Sequence, residues 1–261
     1  MREFTVTSWN ELNERLYQDS WMPGIRRHRS HFAFRGLDMA SHRLETTLSR
    51  LGGDPSRLEG HLLRNFRKYA HRNVVERDSL WNWMALAQHH RLPTRMLDWT
   101  YSPYVALHFA TADMSKAHLD GVVWCVDFSA ACNMLPRVLA AELDREGADV
   151  FTVEMLTRVA GSMEIFDGLS AETFVTFFEP PSLDDRIVNQ FALFSVLSDP
   201  TACFEDFLAA HPELVRKVII PAGLKWEVRD KLDQANISER VLFPGLDGLS
   251  IWLKRHYSYR G

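Results

Sequence analysis

Apolar residues return every three or four positions in some stretches of the chain and alternate or run together in others, and these two rhythms divide most of it into helices and strands. Residues 6–18 read as a capped helix: Trp9, Leu12, Leu16 and Tyr17 share a face behind Thr7 or Ser8, with Glu11 three positions beyond Ser8. HFAFRG at 31–36 alternates and stops at Gly36, which predicts a strand delivering Arg35 to its end. Between Arg57 and Asn73, Leu58, Leu62, Leu63, Phe66 and Tyr69 recur among charges, the pattern of an amphipathic helix. From Asp78 to His89 the residues are apolar nearly all round, with Leu80, Trp81, Trp83, Met84, Leu86 and Ala87, so this helix should be buried and its C-terminal end should lie inside the protein or line a pocket.

Pro93 lacks an N–H and restricts the residue before it, so His89 to Asp98 should be irregular or extended. Ser102 and Pro103 suit the cap and first turn of a new helix, followed by Val105, Ala106, Leu107, Phe109 and Ala110. Gly121 to Phe128 reads as a buried strand. Further on, helices are expected at 133–145, 152–160, 202–210 and 223–235, and strands at 191–197 and 218–220. No repeat, low-complexity tract or linker divides the chain, and the link at 146–151 is short. The expectation is one α+β domain over 1–261, a mixed central sheet flanked by helices, with the 6–18 helix leading into it.

Composition changes the picture mainly by exclusion. With 261 residues, 46% of them hydrophobic, 25% charged and 11% aromatic, the chain is that of a folded globular protein. A net charge of -4 gives no global field for a phosphate backbone, so nucleic-acid binding has no support from charge. The basic runs at Arg26, Arg27, His28 and Arg29, and at Arg64, Arg67, Lys68, His71 and Arg72, read as solvated faces, with a polyanion contact as the alternative. Cys125, Cys132 and Cys203 show no paired spacing, which argues against zinc, redox or disulfide use and for a reducing compartment. The first residues are too polar for a signal peptide and no apolar run approaches a membrane span, so a cytoplasmic location is expected.

The chemistry concentrates in QHHRLPTRMLDWTYSP, residues 88–103, where many polar side chains lie between two apolar helices. One reading is structural: Gln88, Thr94, Arg95 and Asp98 satisfy one another, with an Arg95–Asp98 fork. The other is functional: Gln88, His89, Thr100 and Ser102 face a polar ligand, the Ser102 helix offers free N–H groups to an anion, and Arg35 makes a bidentate phosphate contact. Trp81, Trp83 and Trp99 read as core residues before they read as base-stacking ones. Adjacent His89 and His90 cannot face one metal from a helix, and no metal-ligand, serine-hydrolase or P-loop motif is present.

AFRG at 33–36 followed by QHHRLPTRMLDWTYSPYVALHFA at 88–110 resembles the FRG domain, and the likeness extends to Leu44–Arg50, the Glu59 helix, DGVVW at 120–124, Arg186–Phe194 and LFPGLDGL at 242–249. Two positions depart from that pattern: Arg91 and Ala192 stand where glycine is usual. A second resemblance, to ADP-ribosyltransferases, rests on the order of Phe34-Arg35-Gly36, then Trp99 to Ser102, then Arg186–Phe194.

That second resemblance implies an ADP-ribosyltransferase-like fold and NAD as substrate, while the residue spacing predicts no metal. Arg35 would hold the diphosphate, Thr100 and Ser102 the nicotinamide ribose, and Gln88, His89 and Arg95 would line the site. The third position offers Gln190 and no Glu, so Asp98, Glu179 or Asp185 takes the carboxylate role, or a nucleotide is bound without turnover. Three expectations therefore stand together. The chain is an NAD-cleaving or ADP-ribosyl-transferring enzyme acting in bacterial defence or as a toxin, a sensor or effector module for a nucleotide or protein partner, or a fold whose motif is a satisfied buried network.

Overall fold

A computed structural model describes residues 1–70 and 78–259. The chain opens with β1 (Arg2–Thr5) and α1 (Trp9–Tyr17), then a short ribbon of β2 (Trp21–Met22) and β3 (Arg27–His28), then β4 (Phe32–Leu37). Two helices follow, α2 (Pro55–Ala70) and α3 (Leu80–His89), before β5 (Met96–Thr100), α4 (Pro103–Thr111) and β6 (Gly121–Asp127). Next come α5 (Phe128–Ala131), α6 (Arg137–Glu146), β7 (Phe151–Thr152), α7 (Val153–Val159), α8 (Met163–Asp167) and β8 (Val175–Glu179). The last elements are α9 (Asp185–Asn189), β9 (Ala192–Leu197), α10 (Phe204–Ala210), β10 (Val215–Ile220), α11 (Lys225–Gln234), α12 (Glu239–Leu242) and α13 (Leu246–His256).

The architecture is α+β, a mixed eight-stranded sheet of order β1-β10-β6-β4-β5-β9-β8-β7 with helices against it. β1 runs parallel to β10 and β7 to β8, while the inner pairs are antiparallel. The ladders are uneven. β4 pairs with β6 along its whole length, from Phe32 opposite Asp127 to Leu37 opposite Val122, and β5 pairs along its whole length with β9. β4 and β5 meet at one register position, Phe34 opposite Thr100. The sheet is thus two four-stranded halves sewn together at a single point.

Strand alternation sends side chains to two faces, and the faces differ. On one, a continuous core crosses the join: Ala33 of β4, Leu97 and Trp99 of β5, Val122, Trp124 and Val126 of β6, and Leu193 and Leu197 of β9. On the other, two separate cores form. Phe32, Phe34, Val123 and Cys125 pack with Leu12 and Leu16 of α1, Ala106, Leu107 and Ala110 of α4, and Val228 and Leu232 of α11. Met96, Phe178, Phe194 and Val196 pack with Trp81, Trp83 and Met84 of α3 and with Leu156 of α7. The helical layers part on this second face, above the seam.

α4 lies unusually close to its strands. A Cβ at Gly36 would meet the Ala106 carbonyl oxygen at 1.8 Å, and one at Gly121 would meet that of Ala110 at 2.6 Å. Glycine is needed in both strands so that the helix backbone can settle on the sheet.

The periodic segments form as expected with shifted ends. The helix read at 6–18 spans Trp9–Tyr17, that read from Asp78 begins at Leu80, and β4 extends one residue past Gly36. The end of the helix expected to reach Asn73, with His71 and Arg72 of the basic series, lies outside the described residues. The segment expected to be irregular or extended is a turn followed by β5. The helices expected at 133–145, 152–160, 202–210 and 223–235 are realised as α6, α7, α10 and α11, and the strands at 191–197 and 218–220 as β9 and a longer β10. The short elements β2, β3, β7, α5, α8 and α12, and also β1, β8, α9 and α13, were not anticipated. Among the described residues no helix is long and apolar enough to cross a membrane.

Candidate functional site

Where β4 and β5 separate, a cleft of about 280 Å³ opens among β4, β5, β9, the C-terminal end of α3 and α9. It is lined by Arg35, Gln88, His89, Asp98, Thr100 and Gln190 of the residues anticipated from sequence. Four separate elements deliver these six side chains, and chain distances of up to 155 positions collapse because Phe34 pairs with Thr100 and β5 with β9.

Arg35 bridges the parted strands: its Nη1 donates to the Asp98 carbonyl, taking up an acceptor that a continuous ladder would have used. Its Nε is buried without a hydrogen-bond partner, and Nη1 lies 4.0 Å from Asp98 Oδ2, longer than a charge-assisted hydrogen bond. Burial draws the Arg35 pKa down, the Asp98 charge opposes this, and Arg50 adds to the lowering. Asp98 is 57% exposed, and its Oδ2 accepts from Gln88 Nε2 at 3.0 Å. Gln88 in turn accepts at Oε1 from the Thr94 hydroxyl, so its amide orientation is fixed from both ends.

Thr100 is 4% exposed, and its hydroxyl oxygen accepts from the Ser102 N–H at 3.0 Å while its own proton stays available. On the opposite wall His89 Nε2 lies 2.9 Å from Asp184 Oδ2, and Asp184 also caps α9 by accepting from the Ile187 N–H. Gln190 donates to the Leu242 carbonyl at 2.9 Å, and Asn189 beside it donates to that of Val241. α9 is therefore tied at one end to α3 and at the other to α12.

Arg95 and Ser102 lie apart from the cleft lining. The Arg95–Asp98 fork expected from sequence does not form: Arg95, 4% exposed, binds Glu59 through Nε at 2.7 Å and through Nη2, and Asp167 through Nη1 at 2.6 Å. Arg95 precedes β5, which begins at Met96, and its guanidinium is taken up by Glu59 of α2 and Asp167 of α8 instead. The Asp167 pKa is raised by burial against the pull of Arg95. Ser102 caps α4 by accepting from the Val105 N–H, and with its own N–H on Thr100 and no N–H on Pro103, the helix end expected to receive an anion is mostly used internally.

Glu179 is occupied by the Tyr101 hydroxyl at 2.9 Å, and Asp185 faces a neighbouring cavity. Asp98 is thus the carboxylate among the cleft-lining residues. Trp81, Trp83 and Trp99 are core, each indole N–H satisfied, by the Ala160 carbonyl, Asp78 and Ser195 respectively. Among the described residues no group of three or more His, Cys, Asp or Glu is placed to hold a metal ion.

Sequence reasoning did not give roles to Arg91 and Arg186, which also line the cleft. Arg186 stacks over Phe243 at 5.1 Å. Arg91 follows the last turn of α3 at φ 63°, where its N–H meets the Gln88 carbonyl and the Leu92 N–H that of Ala87. That is a Schellman ending, whose left-handed position glycine fits best. The unusual Arg at this point of the motif was the signal available in the sequence.

Residues 30–118 match the FRG domain family. The chain carries an FRG domain over that span, which contains β4, β5 and α4 and most of the cleft's polar residues. No curated protein and no solved structure matches the chain.

Proposed function

We propose that the cleft binds a phosphate-bearing nucleotide of the NAD type and that the chain is an ADP-ribosyltransferase-like or NAD-cleaving enzyme. The observation that carries this reading is Arg35: a half-buried guanidinium at a split in the sheet, with a buried, unpartnered Nε and no tight carboxylate. A phosphate supplies the planar pair of acceptors that such a fork lacks. The Thr100 hydroxyl then orients the nicotinamide ribose, and Asp98 faces the reacting carbon with Gln190 beside it.

In that reaction the bond from C1′ of the ribose to the nicotinamide nitrogen breaks and nicotinamide leaves with the electron pair. Water or a side chain of a protein target forms the new bond at C1′ and gives up a proton. A carboxylate near C1′ stabilises the positive charge that develops there. Consumption of cytoplasmic NAD is the chemistry through which such a chain would act as a toxin or in defence against phage.

One observation favours binding without turnover: Gln190 is neutral and tied to the Leu242 carbonyl, and Asp98 already accepts from Gln88. Proton NMR of the protein with NAD, beside Arg35→Ala and Asp98→Asn, separates the readings. Nicotinamide release lost in both variants supports the enzyme. NAD line-broadening without release, lost in Arg35→Ala, supports a sensor or effector module, and neither signal in the unmodified protein refutes the nucleotide reading.

A further inference from the structure

The cleft does not end at α9. Arg91, Phe109 and Arg186 line both it and a second cavity of about 660 Å³, covered by α12 and α13 through Phe243, Asp247 and Ile251. Alone, the first cleft falls just short of the roughly 300–1,000 Å³ typical of small-molecule sites, and joined with the second it falls within that range.

The junction is where the unexplained charge sits. Among the described residues neither the exposed Arg91 nor the half-buried Arg186 has a carboxylate partner, and the Arg186 guanidinium lies over the Phe243 ring at 5.1 Å. Arg91 holds a left-handed backbone that glycine would adopt without strain, and places its cation where both cavities meet. Beyond the junction, Phe109 and Phe243 stand edge to face with centroids 6.1 Å apart, giving an apolar wall. Asp185 and Asp247 also line the second cavity and present acceptors there.

We propose that the two cavities form one bipartite site for a diphosphate-bridged ligand. Arg35 holds the nearer phosphate of the bridge in the first cleft, Arg91 and Arg186 hold the farther one at the junction, and the second nucleoside occupies the cavity under α12 and α13, its hydroxyl or amine donors on Asp185 and Asp247. This rests on the nucleotide reading of the first cleft and assigns the half of the ligand that the first cleft is too small to take.

The test is calorimetric binding of two probes, ADP-ribose, which has the diphosphate and both riboses, and nicotinamide mononucleotide, which has one phosphate and one ribose. The proteins are the unmodified chain, Arg91→Gly, Arg186→Gln and Arg35→Ala, each checked by circular dichroism. Losing one charged hydrogen bond should weaken ADP-ribose about tenfold or more in Arg91→Gly and Arg186→Gln, with the mononucleotide changed by less than about twofold. Arg35→Ala should weaken both probes. ADP-ribose bound normally by Arg91→Gly and Arg186→Gln but lost in Arg35→Ala overturns the bipartite site and leaves the first cleft standing. Equal losses of both probes in Arg91→Gly also overturn it, and no binding of either probe to the unmodified chain refutes the nucleotide reading together with this extension.

Discussion

Arg95 and Asp98 lie three positions apart in the same motif, yet removing them should have opposite consequences. Arg95→Ala strands Glu59, which is 5% exposed, with both carboxylate oxygens unpartnered, since Oε1 has no partner even now and Oε2 depends on Arg95. Breaking a buried ion pair by deleting one partner costs about 3–5 kcal/mol. An unfolding entropy of about 2.1 cal/mol/K per residue over this chain length converts that to a fall in Tm of roughly 5–9 °C. Asp98→Ala gives up one hydrogen bond from Gln88 at a half-exposed side chain, worth about 1 kcal/mol or less, hence a shift of about 2 °C at most. The assay is thermal unfolding followed by circular dichroism at neutral pH, and adding Glu59→Gln to Arg95→Ala should regain about 1–2 kcal/mol by removing the stranded charge. If Asp98→Ala melts as low as Arg95→Ala, the separation of a supporting ion cluster from the cleft is wrong.

Gly36→Ala drives a methyl into the Ala106 carbonyl and should destabilise by about 3 kcal/mol or more, read as loss of soluble protein or a lowered urea midpoint. Gly24→Ala, with nothing within 4 Å, is the control and should stay within about 0.5 kcal/mol. Arg91→Gly should raise stability by about 0.5–1 kcal/mol by relieving the left-handed backbone, and a lowered Tm would refute the strain. Burial, reinforced by Arg229, holds His108 at a pKa of about 3 against an ordinary 6.5. The unfolded chain therefore takes a proton that the folded one refuses, so stability should drop by about 1.4 kcal/mol per pH unit as pH falls from roughly 6.5 toward 3. Glu239, brought down to about 2 by Arg255 although burial raises it, adds the same sign below about 4.5. Urea midpoints against pH should flatten between 6.5 and 4.5 in His108→Gln, and an unchanged slope refutes the assignment.

What could be read from the sequence was what depends on near neighbours. α2, α3 and α4 announce themselves through spacing, caps and prolines, and the cleft's polar residues could be picked out because they interrupt an apolar context. β1 could not, because its exposed Arg2 and Glu3 carry little apolar signal at a sheet edge, and β8 lacks the alternation that marks a strand since it is buried on both faces. The partners of Arg95 sit 36 and 72 positions away, and nothing local distinguishes Glu59 and Asp167 from the nearer Asp98. Arg186 reaches the cleft only because Asp184 ties α9 to α3 and Asn189 and Gln190 tie it to α12. Long-range pairings of that sort leave no periodic trace in the chain.

The single-point seam between β4 and β5 sets how the molecule can deform. On one face the apolar layer runs unbroken beneath both half-sheets, and on the other two independent layers stand side by side with the cleft between them. Such a body is put together like a bound book: the unbroken layer is the spine, the two upper layers are the boards, and the Phe34–Thr100 pairing and the Arg35 bond to the Asp98 carbonyl are stitches through the fold. A rotation about that line would load these ties and leave the ladders inside each half untouched. Arg35 sits on that line with its guanidinium on the Asp98 carbonyl, so a ligand that draws it inward would be felt in both halves at once.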